Sequence, residues 1–437
     1  MKNFIQKIFD FTAQWEKNIV SISKANFRED LKGLNVCDVL FFCHDADRPL
    51  SLKGKAFSPL VDVVRKDFES RGLNCLSIAH PWSSLIGEAA HGEPIGMNKT
   101  YFFYLIHKKL LRLLGMSQKD VNNPYSLILE KTKAKLIITI GSPILLASVA
   151  RERNIFHVEL LHGIGYSFLP WGWDRLPPSC LPQGVLSLDE VSTASFGQLE
   201  DKGITVHTIP HPFLKNFVGR NKELFATAFD MSFCTSADFK KQIVITFNWS
   251  RTHKDILRNA FTGSKPGPFL LLLSELVAEE KNIFWHFRLH PVQLRNPNFK
   301  YLRDFMDEFV STNTNACWRE SSQLPLPSLA NFCDAHISLE SMSCYDVAML
   351  GIPSLMLSPR IQNGSIYQKK FIDLELEGFV TKGEMEKHFI RNWVCKTKKM
   401  KPRLSNLEDN SSWEEAVSWM LCESEICTIP NSQSNVT

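Results

Sequence analysis

Serine hydroxyls are concentrated in one stretch of the C-terminal half, DAHISLESMSCYDVAMLGIPSLMLSP. An apolar run at 335–339 predicts a buried strand, and a helix is predicted at about 345–350. Ser338, near the end of that run, and Ser341 and Ser343 after it make the turn before the helix rich in hydroxyls. A loop between a strand and a helix offers hydroxyls and unpaired backbone N–H groups, and the helix dipole adds partial positive charge. These groups suit a phosphate, and so the stretch predicts part of a nucleotide site.

A second group of candidate residues ends another apolar run in the same half. Arg288, His290 and Pro291 follow the letters IFWHF. Arginine can make a charge-assisted contact with a phosphate, and histidine can donate either as imidazolium or as a neutral N–H. Sheets of α/β proteins bind ligands at the carboxyl ends of their strands, and so we expect these residues beside the serines. The alternatives are a structural pair for Arg288 and a strand cap for His290.

Three acidic side chains are candidates for contacts with a ribose or a base. Asp346 lies on the predicted helix, where a carboxylate could also simply interact with the helix dipole. Glu340 ends the serine-containing strand, and Glu320 follows a short strand predicted at 315–319. The predicted nucleotide-binding set is therefore Arg288, His290, Pro291, Glu320, Ser338, Glu340, Ser341, Ser343 and Asp346.

The N-terminal half offers candidates for a general base. His162 ends a predicted strand and titrates near neutral pH, as a catalytic base should, although a structural histidine is an equal alternative. Asp45 and Asp47 follow the first predicted strand and are the alternative bases. His80 and His211 both precede proline and are interpreted as structural turns.

Two successive runs of alternating strands and helices must position these residues. The chain of 437 residues is too long for one ordinary core. We expect an α/β protein with an N-terminal domain at 1–215, a linker at 216–240 and a C-terminal domain at 241–437. The N-terminal residues 1–34 predict an amphipathic helix, and the last helix is predicted at 412–421. No Gly-rich dinucleotide motif or P-loop is present in the sequence.

Composition excludes several classes of protein. A hydrophobic content of 44% with 22% charged residues is typical of a globular enzyme, and no apolar run is long enough for a membrane span. Eleven scattered cysteines and no convincing signal peptide favour a cytoplasmic location. No zinc-type spacing occurs, so no metal is expected, and a net charge of +4 does not imply nucleic acid. The basic run at 396–403 is either a solvated loop or a contact with anionic lipid.

The motifs together resemble a known enzyme superfamily. Two Rossmann-like halves resemble the GT-B glycosyltransferases, whose two domains face each other across a cleft. Two motifs of bacterial capsule and surface-polysaccharide transferases have similar counterparts here. Their HP motif resembles Arg288-Leu-His290-Pro291, and their serine-rich motif resembles the serines with the Asp346…Gly351-Ile-Pro353 frame. These include enzymes that use CMP-Kdo, bacterial sialyltransferases and CDP-glycerol glycerophosphotransferases. Asp346 stands where the frame usually has Glu, and Leu161-His162-Gly163 resembles a strand-end histidine of the capsule and glycerophosphotransferase groups.

The resemblance implies a metal-independent, inverting glycosyltransferase. It would move a sugar from a nucleotide donor, with CMP-Kdo or CMP-sialic acid favoured, to a bacterial surface polysaccharide or lipid-linked glycan. No cofactor is implied beyond the nucleotide sugar, and the partners would be a glycan or glycolipid acceptor and, peripherally, the inner membrane. In bacterial sialyltransferases of this fold an N-domain aspartate is the base, as Asp45 or Asp47 would be here. The alternatives are a CDP- or UDP-dependent glycerophosphate or sugar-phosphate transferase, a nucleotide-sugar 2-epimerase, and a non-catalytic polysaccharide assembly protein.

Overall fold

The computed structural model describes residues 25, 31, 34–114, 123–217, 239–248, 261–262, 265–295, 297–365, 367–403 and 411–426. Most of the helix predicted at 1–34 and most of the predicted linker lie outside these residues. The chain divides into two compact units, one made of Met1–Pro212 with Asn410–Thr437 and the other of Phe213–Asp409.

The first unit is built on a six-stranded parallel sheet. Its strands are separated by helices, as long parallel connections require. In chain order the strands of this unit are β1 Val39–Cys43, β2 Leu50–Leu52, β3 Lys55–Phe57, β4 Cys75–Ala79, β5 Leu136–Thr139, β6 Phe156–Leu160, β7 Gly184–Ser187 and β8 Thr205–Thr208. The sheet order is β4-β1-β5-β6-β7-β8, and β2 and β3 form a separate antiparallel hairpin. Every residue of β1, β5 and β6 is buried, which is typical of strands covered on both faces.

The helices of the first unit connect these strands. They are α1 Val61–Ser70, α2 Asn98–Leu113, α3 Pro124–Thr132, α4 Ile144–Glu152 and α5 Glu190–Phe196. The side chain of Asn123 accepts a hydrogen bond from the backbone N–H of Tyr125 and caps α3, and Asp189 caps α5 in the same way through Ser192. A buried ion pair, Arg48–Asp62 at 2.7 Å, ties the loop after β1 to α1.

The second unit contains another six-stranded parallel sheet. Its strands are β9 Lys241–Thr246, β10 Phe261–Thr262, β11 Lys265–Pro266, β12 Ile283–Arg288, β13 Ala316–Cys317, β14 Ala335–Ser338, β15 Ser354–Met356 and β16 Val380–Lys382. The sheet order is β13-β12-β9-β14-β15-β16, while β10 and β11 form a hairpin. Its helices are α6 Pro268–Glu279, α7 Pro291–Arg295, α8 Lys300–Thr312, α9 Arg319–Gln323, α10 Leu326–Ala330, α11 Ser343–Ala348, α12 Ile372–Leu376 and α13 Lys387–Lys396.

Both sheets reverse their direction of winding once. Counted along the chain, the second sheet has the order 3-2-1-4-5-6 found in dinucleotide-binding folds, with its switch point between β9 and β14. The first sheet has the order 2-1-3-4-5-6, with its switch point between β1 and β5. Ligands of open α/β sheets bind outside the carboxyl ends of the strands at such points.

The last helix, α14 Ser411–Glu423, belongs to the first unit. Trp413 Nε1 donates to Asp67 Oδ2 at 3.0 Å, and Arg71 forms a two-pronged pair with Glu414. The sequence predicts this helix within the domain at 241–437, with the alternative that it packs back across the domain junction, and the structure assigns it to the first unit. Its apolar face alone could not indicate which sheet it covers.

The basic run at 396–403 folds back on the second unit. Met400 N–H donates to Gly351 O at 2.8 Å, Lys399 Nζ donates to Asn331 O, and Arg403 pairs with Glu377. None of the helices in the described part of the chain has both the length and the apolar character that crossing a bilayer requires.

Candidate functional site

The sequence-predicted nucleotide-binding residues gather mainly at the switch point of the second sheet. His290 follows β12, Glu340 and Ser341 follow β14, and Asn248 follows β9, the strand between those two. Ser343 and Asp346 lie in the first turn of α11, which continues from β14. Side chains that follow three neighbouring strands therefore meet at the carboxyl ends of those strands.

Asn248 joins the three strand ends. Its Oδ1 accepts hydrogen bonds from Ser338 Oγ at 3.0 Å and from the Glu340 backbone N–H at 3.2 Å. Its carbonyl oxygen accepts from the amide of Gln293, whose own Oε1 accepts from the His290 backbone N–H at 2.8 Å. Asn248 is not among the site residues predicted from the sequence.

Ser338 has a different role from the one expected. Its side chain is fully buried, and its hydroxyl donates to Thr246 O at 2.8 Å as well as contacting Asn248. It is the last residue of β14, where side chains alternate between the two faces of the sheet. The hydroxyl is therefore committed to holding β14 against β9 and does not offer a donor to a phosphate.

Ser341 and Ser343 form the surface of the loop. Their hydroxyl oxygens are in hydrogen-bond contact, and Ser343 Oγ also lies 3.3 Å from Thr246 Oγ1. Buried His336 holds Thr246 Oγ1 from below at 2.8 Å and contacts Ser354 Oγ at the same distance. Burial lowers the pKa of His336 to about 3, so this relay is neutral. Because a hydroxyl hydrogen rotates to suit its acceptor, Ser341 can redirect its donor to a ligand.

His290 is positioned as a neutral donor. Its Nδ1 accepts from the Val292 backbone N–H at 3.2 Å, which leaves the ring proton on Nε2. Burial, with a smaller contribution from the Arg288 charge, lowers the pKa of His290 to about 4. Of the two forms expected from the sequence, the structure therefore favours the neutral one. Pro291 begins α7 and fixes the turn that follows the histidine.

Arg288 and Asp346 influence each other electrostatically. Arg288 Nη1 donates to the carbonyl oxygens of Ser321 and Leu324, so part of the guanidinium is used to hold the chain around α9. Burial lowers the pKa of Arg288 to about 10, and the carboxylate of Asp346 opposes that shift. Burial raises the pKa of Asp346 to about 7, and Arg288 again opposes it. Asp346 makes no hydrogen bond or ion pair with another described residue, so its oxygens remain available to a ligand.

Glu340 is the centre of a charged cluster. Only 5% of it is exposed, and its carboxylate accepts from Ser358 Oγ at 2.8 Å and from Arg360 Nη1 at 3.2 Å. Lys370 Nζ lies 3.9 Å from the same carboxylate and donates to Glu340 O. Burial is the main reason that the pKa of Lys370 is lowered. Glu340 thus orients two cations that the sequence did not assign to the site, although Lys370 lies in the basic pair after Gln368.

Two sequence-based expectations differ from the structure. Glu320 is exposed on α9, after the edge strand β13, and contacts none of the other predicted site residues. Helix α11 contains only six residues, so its dipole adds little to an anion site. The candidate contacts to a ligand are therefore mainly the side chains at the ends of β9, β12 and β14.

The first unit has its own group of ionisable side chains at its switch point. Asp45 is held in a turn, where its carboxylate accepts from Ser83 Oγ and from the backbone N–H and hydroxyl of Ser84 at 2.8 Å. These bonds use both oxygens, so Asp45 positions the 83–84 loop and is poorly placed as a base.

Asp47 and Glu159 are the carboxyl groups with the most perturbed titration in this region. Burial raises the pKa of Asp47 to about 7 against the opposing charge of Arg48. Glu159 is fully buried at the end of β6, where it accepts from Thr139 Oγ1 and the Gly141 backbone N–H, both at 2.6 Å. Burial raises the pKa of Glu159 to about 8, and Asp47 contributes to the increase. Glu159 is not among the residues predicted from the sequence, because a glutamate within the run FHVEL gives no indication that its side chain is at the site.

Two histidines stack beside these carboxyl groups. The rings of His44 and His80 lie 3.9 Å apart, and His80 Nε2 is 3.3 Å from Ile140 O. His80 Nδ1 is buried without a hydrogen-bond partner in the described structure. Burial lowers the pKa of both rings. The negative charge of Asp45 opposes this shift at His44, and a positive charge on His162 would lower the pKa of His44 further. His80 therefore lies within the ionisable group and supports the stacked ring of His44.

His162 lies two residues beyond β6, with part of its ring at the surface. The hydroxyl of Tyr166 is 3.0 Å from Nε2, and the ring of Trp171 is 5.8 Å away. Desolvation by these neighbours lowers its pKa, so the ring is neutral at pH 7 and can accept a proton. In the part of the chain that the structure describes, no three His, Cys, Asp or Glu side chains are grouped so as to hold a metal ion.

Comparison with known proteins reveals similarity in fold. No protein-family model matches the chain, and no curated protein matches it in sequence. Among solved structures, the UDP-GlcNAc 2-epimerase from Methanocaldococcus jannaschii is similar with a TM-score of 0.51, 11% identity, and coverage of 88% of this chain and 99% of that chain. The S. aureus MnaA–UDP co-structure has a TM-score of 0.53, 10% identity, and coverage of 90% and 98%. Together with the two parallel sheets, these similarities establish a GT-B-like two-domain fold, as the sequence predicted.

Proposed function

We propose that the protein is a nucleotide-sugar-dependent enzyme of the GT-B type that binds the nucleotide at the switch point of the second sheet. The observation that supports this most strongly is the convergence of Asn248, His290, Ser341 and Asp346 at the ends of neighbouring strands in a sheet with dinucleotide-fold order. Structures with this fold include a UDP complex and a UDP-GlcNAc 2-epimerase.

The reaction that we favour is inverting glycosyl transfer without a metal. The bond between the anomeric carbon and the donor phosphate oxygen breaks, the acceptor oxygen bonds to the opposite face of that carbon, and the nucleotide leaves with the negative charge. Preorganised donors must stabilise this charge. His290 Nε2–H and the Ser341 hydroxyl supply neutral donors, and Lys370 supplies positive charge. Asp346 accepts from ribose hydroxyls in its ionised form.

The acceptor hydroxyl must lose its proton to a base. We assign this role to His162, with His44 as the alternative, because both rings are neutral at pH 7 and both reach the surface of the first unit. Asp47 is the remaining candidate among the predicted bases. The acceptor that we propose is a surface polysaccharide or lipid-linked glycan, as the sequence motifs imply.

The donor follows from two different lines of reasoning. The sequence motifs favour CMP-Kdo or CMP-sialic acid, whereas the solved structures of similar fold favour a UDP-linked sugar or UDP-dependent transfer. We propose the CMP donor first and the UDP donor as its direct competitor. A CDP-dependent glycerophosphate transfer would use the same phosphate contacts.

A turnover assay tests this proposal. The purified chain is incubated in EDTA with CMP-Kdo, CMP-sialic acid or UDP-GlcNAc, with and without a glycan acceptor, and the released nucleotide is measured. We expect acceptor-dependent release from one donor. His290→Asn should reduce the rate, because an asparagine oxygen can replace the Nδ1 acceptor but not the Nε2–H donor. Ser341→Ala should also reduce the rate, because it removes a hydroxyl donor, and Ser311→Ala, on an exposed turn of α8, is its matched control. No release from any donor would support the assembly-protein alternative.

Epimerisation of a nucleotide sugar is the second candidate function. The observation that favours it is Asp47, a carboxyl group after β1 whose pKa burial raises to about 7. Groups that titrate near neutral pH can both remove and return a proton. Acceptor-free conversion of UDP-GlcNAc into its 2-epimer, lost in Asp47→Asn, would establish this function in place of glycosyl transfer.

A further inference from the structure

Trp171 is a large aromatic side chain that the first unit leaves half exposed beside His162. It is 50% exposed, whereas Trp173, two residues later, is 5% exposed and belongs to a buried core cluster. Single exposed apolar side chains are common on protein surfaces, so exposure alone does not indicate a site. Trp171 differs from such side chains in its backbone conformation and in its neighbours.

The backbone at Trp171 is held in an unfavourable conformation. Its φ is +60°, in the left-handed region that residues other than glycine seldom adopt, and Gly172 follows with a φ of +72°. Strain of this kind persists only where the surrounding structure enforces it, and it is concentrated at active sites and ligand contacts. The chain therefore tolerates strain at the residue that presents the exposed ring.

A packed aromatic base supports the ring of Trp171. The centre of the Trp173 ring lies 5.5 Å away, that of Tyr166 5.8 Å and that of Phe196 6.3 Å. Tyr166 is fixed in turn by its backbone N–H, which donates to Ser192 Oγ at 3.0 Å. Because Trp173 and Phe196 belong to the core, the indole is held in place before any ligand arrives, which reduces the entropy cost of binding.

Polar groups border the exposed ring. The centre of the His162 ring lies 5.8 Å from that of Trp171, and the Tyr166 hydroxyl is 3.0 Å from Nε2 of His162. A pyranose has the matching chemistry, because its axial C–H groups form an apolar face that can stack on an indole, while its equatorial hydroxyls lie at the rim, within reach of an imidazole and a phenol. A wholly apolar partner would instead remove these two polar groups from water without offering them hydrogen bonds.

We propose that Trp171 forms a saccharide subsite, in which the indole stacks on one face of a pyranose and holds a hydroxyl of that sugar at His162. The inference rests on the proposed function, in which His162 is the base, and it deepens that function. It identifies the acceptor sugar as a pyranose with equatorial hydroxyls and an open C–H face. Trp171 binds and orients this sugar, and His162 takes its proton.

Saturation-transfer difference NMR tests the subsite on the full chain without nucleotide. The probes are methyl β-glucopyranoside and methyl β-galactopyranoside at millimolar concentration. We expect saturation to reach the C–H protons of one pyranose face more strongly than those of the other, because only the stacked face contacts the indole. Trp171→Ala should reduce this signal about 5-fold, the effect of one lost aromatic contact. Phe103→Ala, which removes another exposed aromatic side chain of the first unit, is the matched control and should retain the wild-type signal.

Two further variants separate stacking from packing. Trp171→Phe keeps an aromatic face and should retain most of the signal, whereas Trp171→Leu keeps an apolar side chain without a ring and should lose it. Circular dichroism and the melting temperature verify that each variant is folded. The proposal is overturned if neither pyranoside receives saturation from the wild type, or if Trp171→Leu gives the same signal as Trp171→Phe.

Turnover distinguishes failure of the subsite from failure of the proposed function. With an acceptor that supports nucleotide release, Trp171→Ala should raise the acceptor KM about 5-fold and leave the donor KM and kcat close to the wild-type values. An unchanged acceptor KM would overturn the subsite and leave glycosyl transfer in place. A pyranoside signal that depends on Trp171, in a protein that releases no nucleotide from any donor, would support the subsite and refute glycosyl transfer.

Discussion

The protonation of Asp346 should be directly visible in nucleotide affinity. Burial raises its pKa to about 7, and the carboxylate has no partner among the described residues. If ribose hydroxyls donate to the ionised form, affinity follows the ionised fraction. With a pKa of about 7, that fraction increases roughly tenfold between pH 6 and pH 8, so Kd should fall by about the same factor.

Asp346→Asn removes this ionisation. A hydrogen bond to a charged group contributes about 1.5–3 kcal/mol, and so the variant should bind roughly 10- to 150-fold more weakly at pH 8. Its remaining pH dependence is that of the nucleotide phosphate itself. The neighbouring groups do not interfere, because the pKa of His290 is lowered to about 4 and that of Arg288 only to about 10.

Calorimetric titration with CMP, CDP and UDP at pH 6, 7 and 8 measures both effects. EDTA is included so that metal contributes nothing. Asp304→Asn, an exposed aspartate paired with Lys300 on α8, is the control and should retain wild-type behaviour. The assignment of Asp346 is refuted if the wild type and Asp346→Asn show the same pH dependence, or if they bind equally at pH 8.

Three further variants test the structure around the two sites. The pKa of Glu159 is about 8 in the folded state, above its unfolded value, so the wild type loses stability as pH rises from 5 to 9. The Tm of Glu159→Gln should therefore increase relative to that of the wild type over this range. A difference in Tm that does not change with pH would show that burial of the carboxyl group is not responsible. Gly351→Ala should destabilise the fold more than Gly378→Ala in urea unfolding. Both glycines have φ near +80°, a conformation that costs alanine about 1–2 kcal/mol. Only at Gly351 would the new Cβ also lie 2.2 Å from the backbone oxygen of Met400. Equal decreases in the free energy of unfolding for the two variants would show that the backbone at Met400 moves to accommodate the methyl group. Ser338→Ala should lower the free energy of unfolding by about 1–2 kcal/mol, because it removes the buried hydroxyl that donates to Thr246 O. A smaller effect than that of Ser311→Ala would argue against a structural role for Ser338.

The sequence predicted the architecture because the strands are buried on both faces. Runs such as VLFFC and LIIT are apolar throughout, which identifies parallel strands of an α/β sheet. The grouping of His290, Ser341 and Asp346 then followed from a single rule, that ligands lie at the carboxyl ends of such strands.

The sequence could not predict which polar side chains point into the site. Ser338 and Ser341 are three residues apart, but the first ends the strand with its hydroxyl inside the sheet and the second lies on the loop. Arg360 and Lys370 reach Glu340 from segments that come later in the chain, and their positions depend on loop shape. Glu159 lies in an apolar strand, where neither spacing nor composition distinguishes a buried acid at a site from a structural one.

A nucleotide held by the second unit at the ends of β9, β12 and β14 should be detectable by hydrogen–deuterium exchange. Exchange is measured by mass spectrometry with and without saturating CMP or UDP, in EDTA. We predict slower exchange in peptides that cover residues 239–248, 289–295 and 338–346, and no change over Lys300–Thr312, which forms α8. Slower exchange only outside these peptides, or no slower exchange at saturating nucleotide, would contradict nucleotide binding at these strand ends.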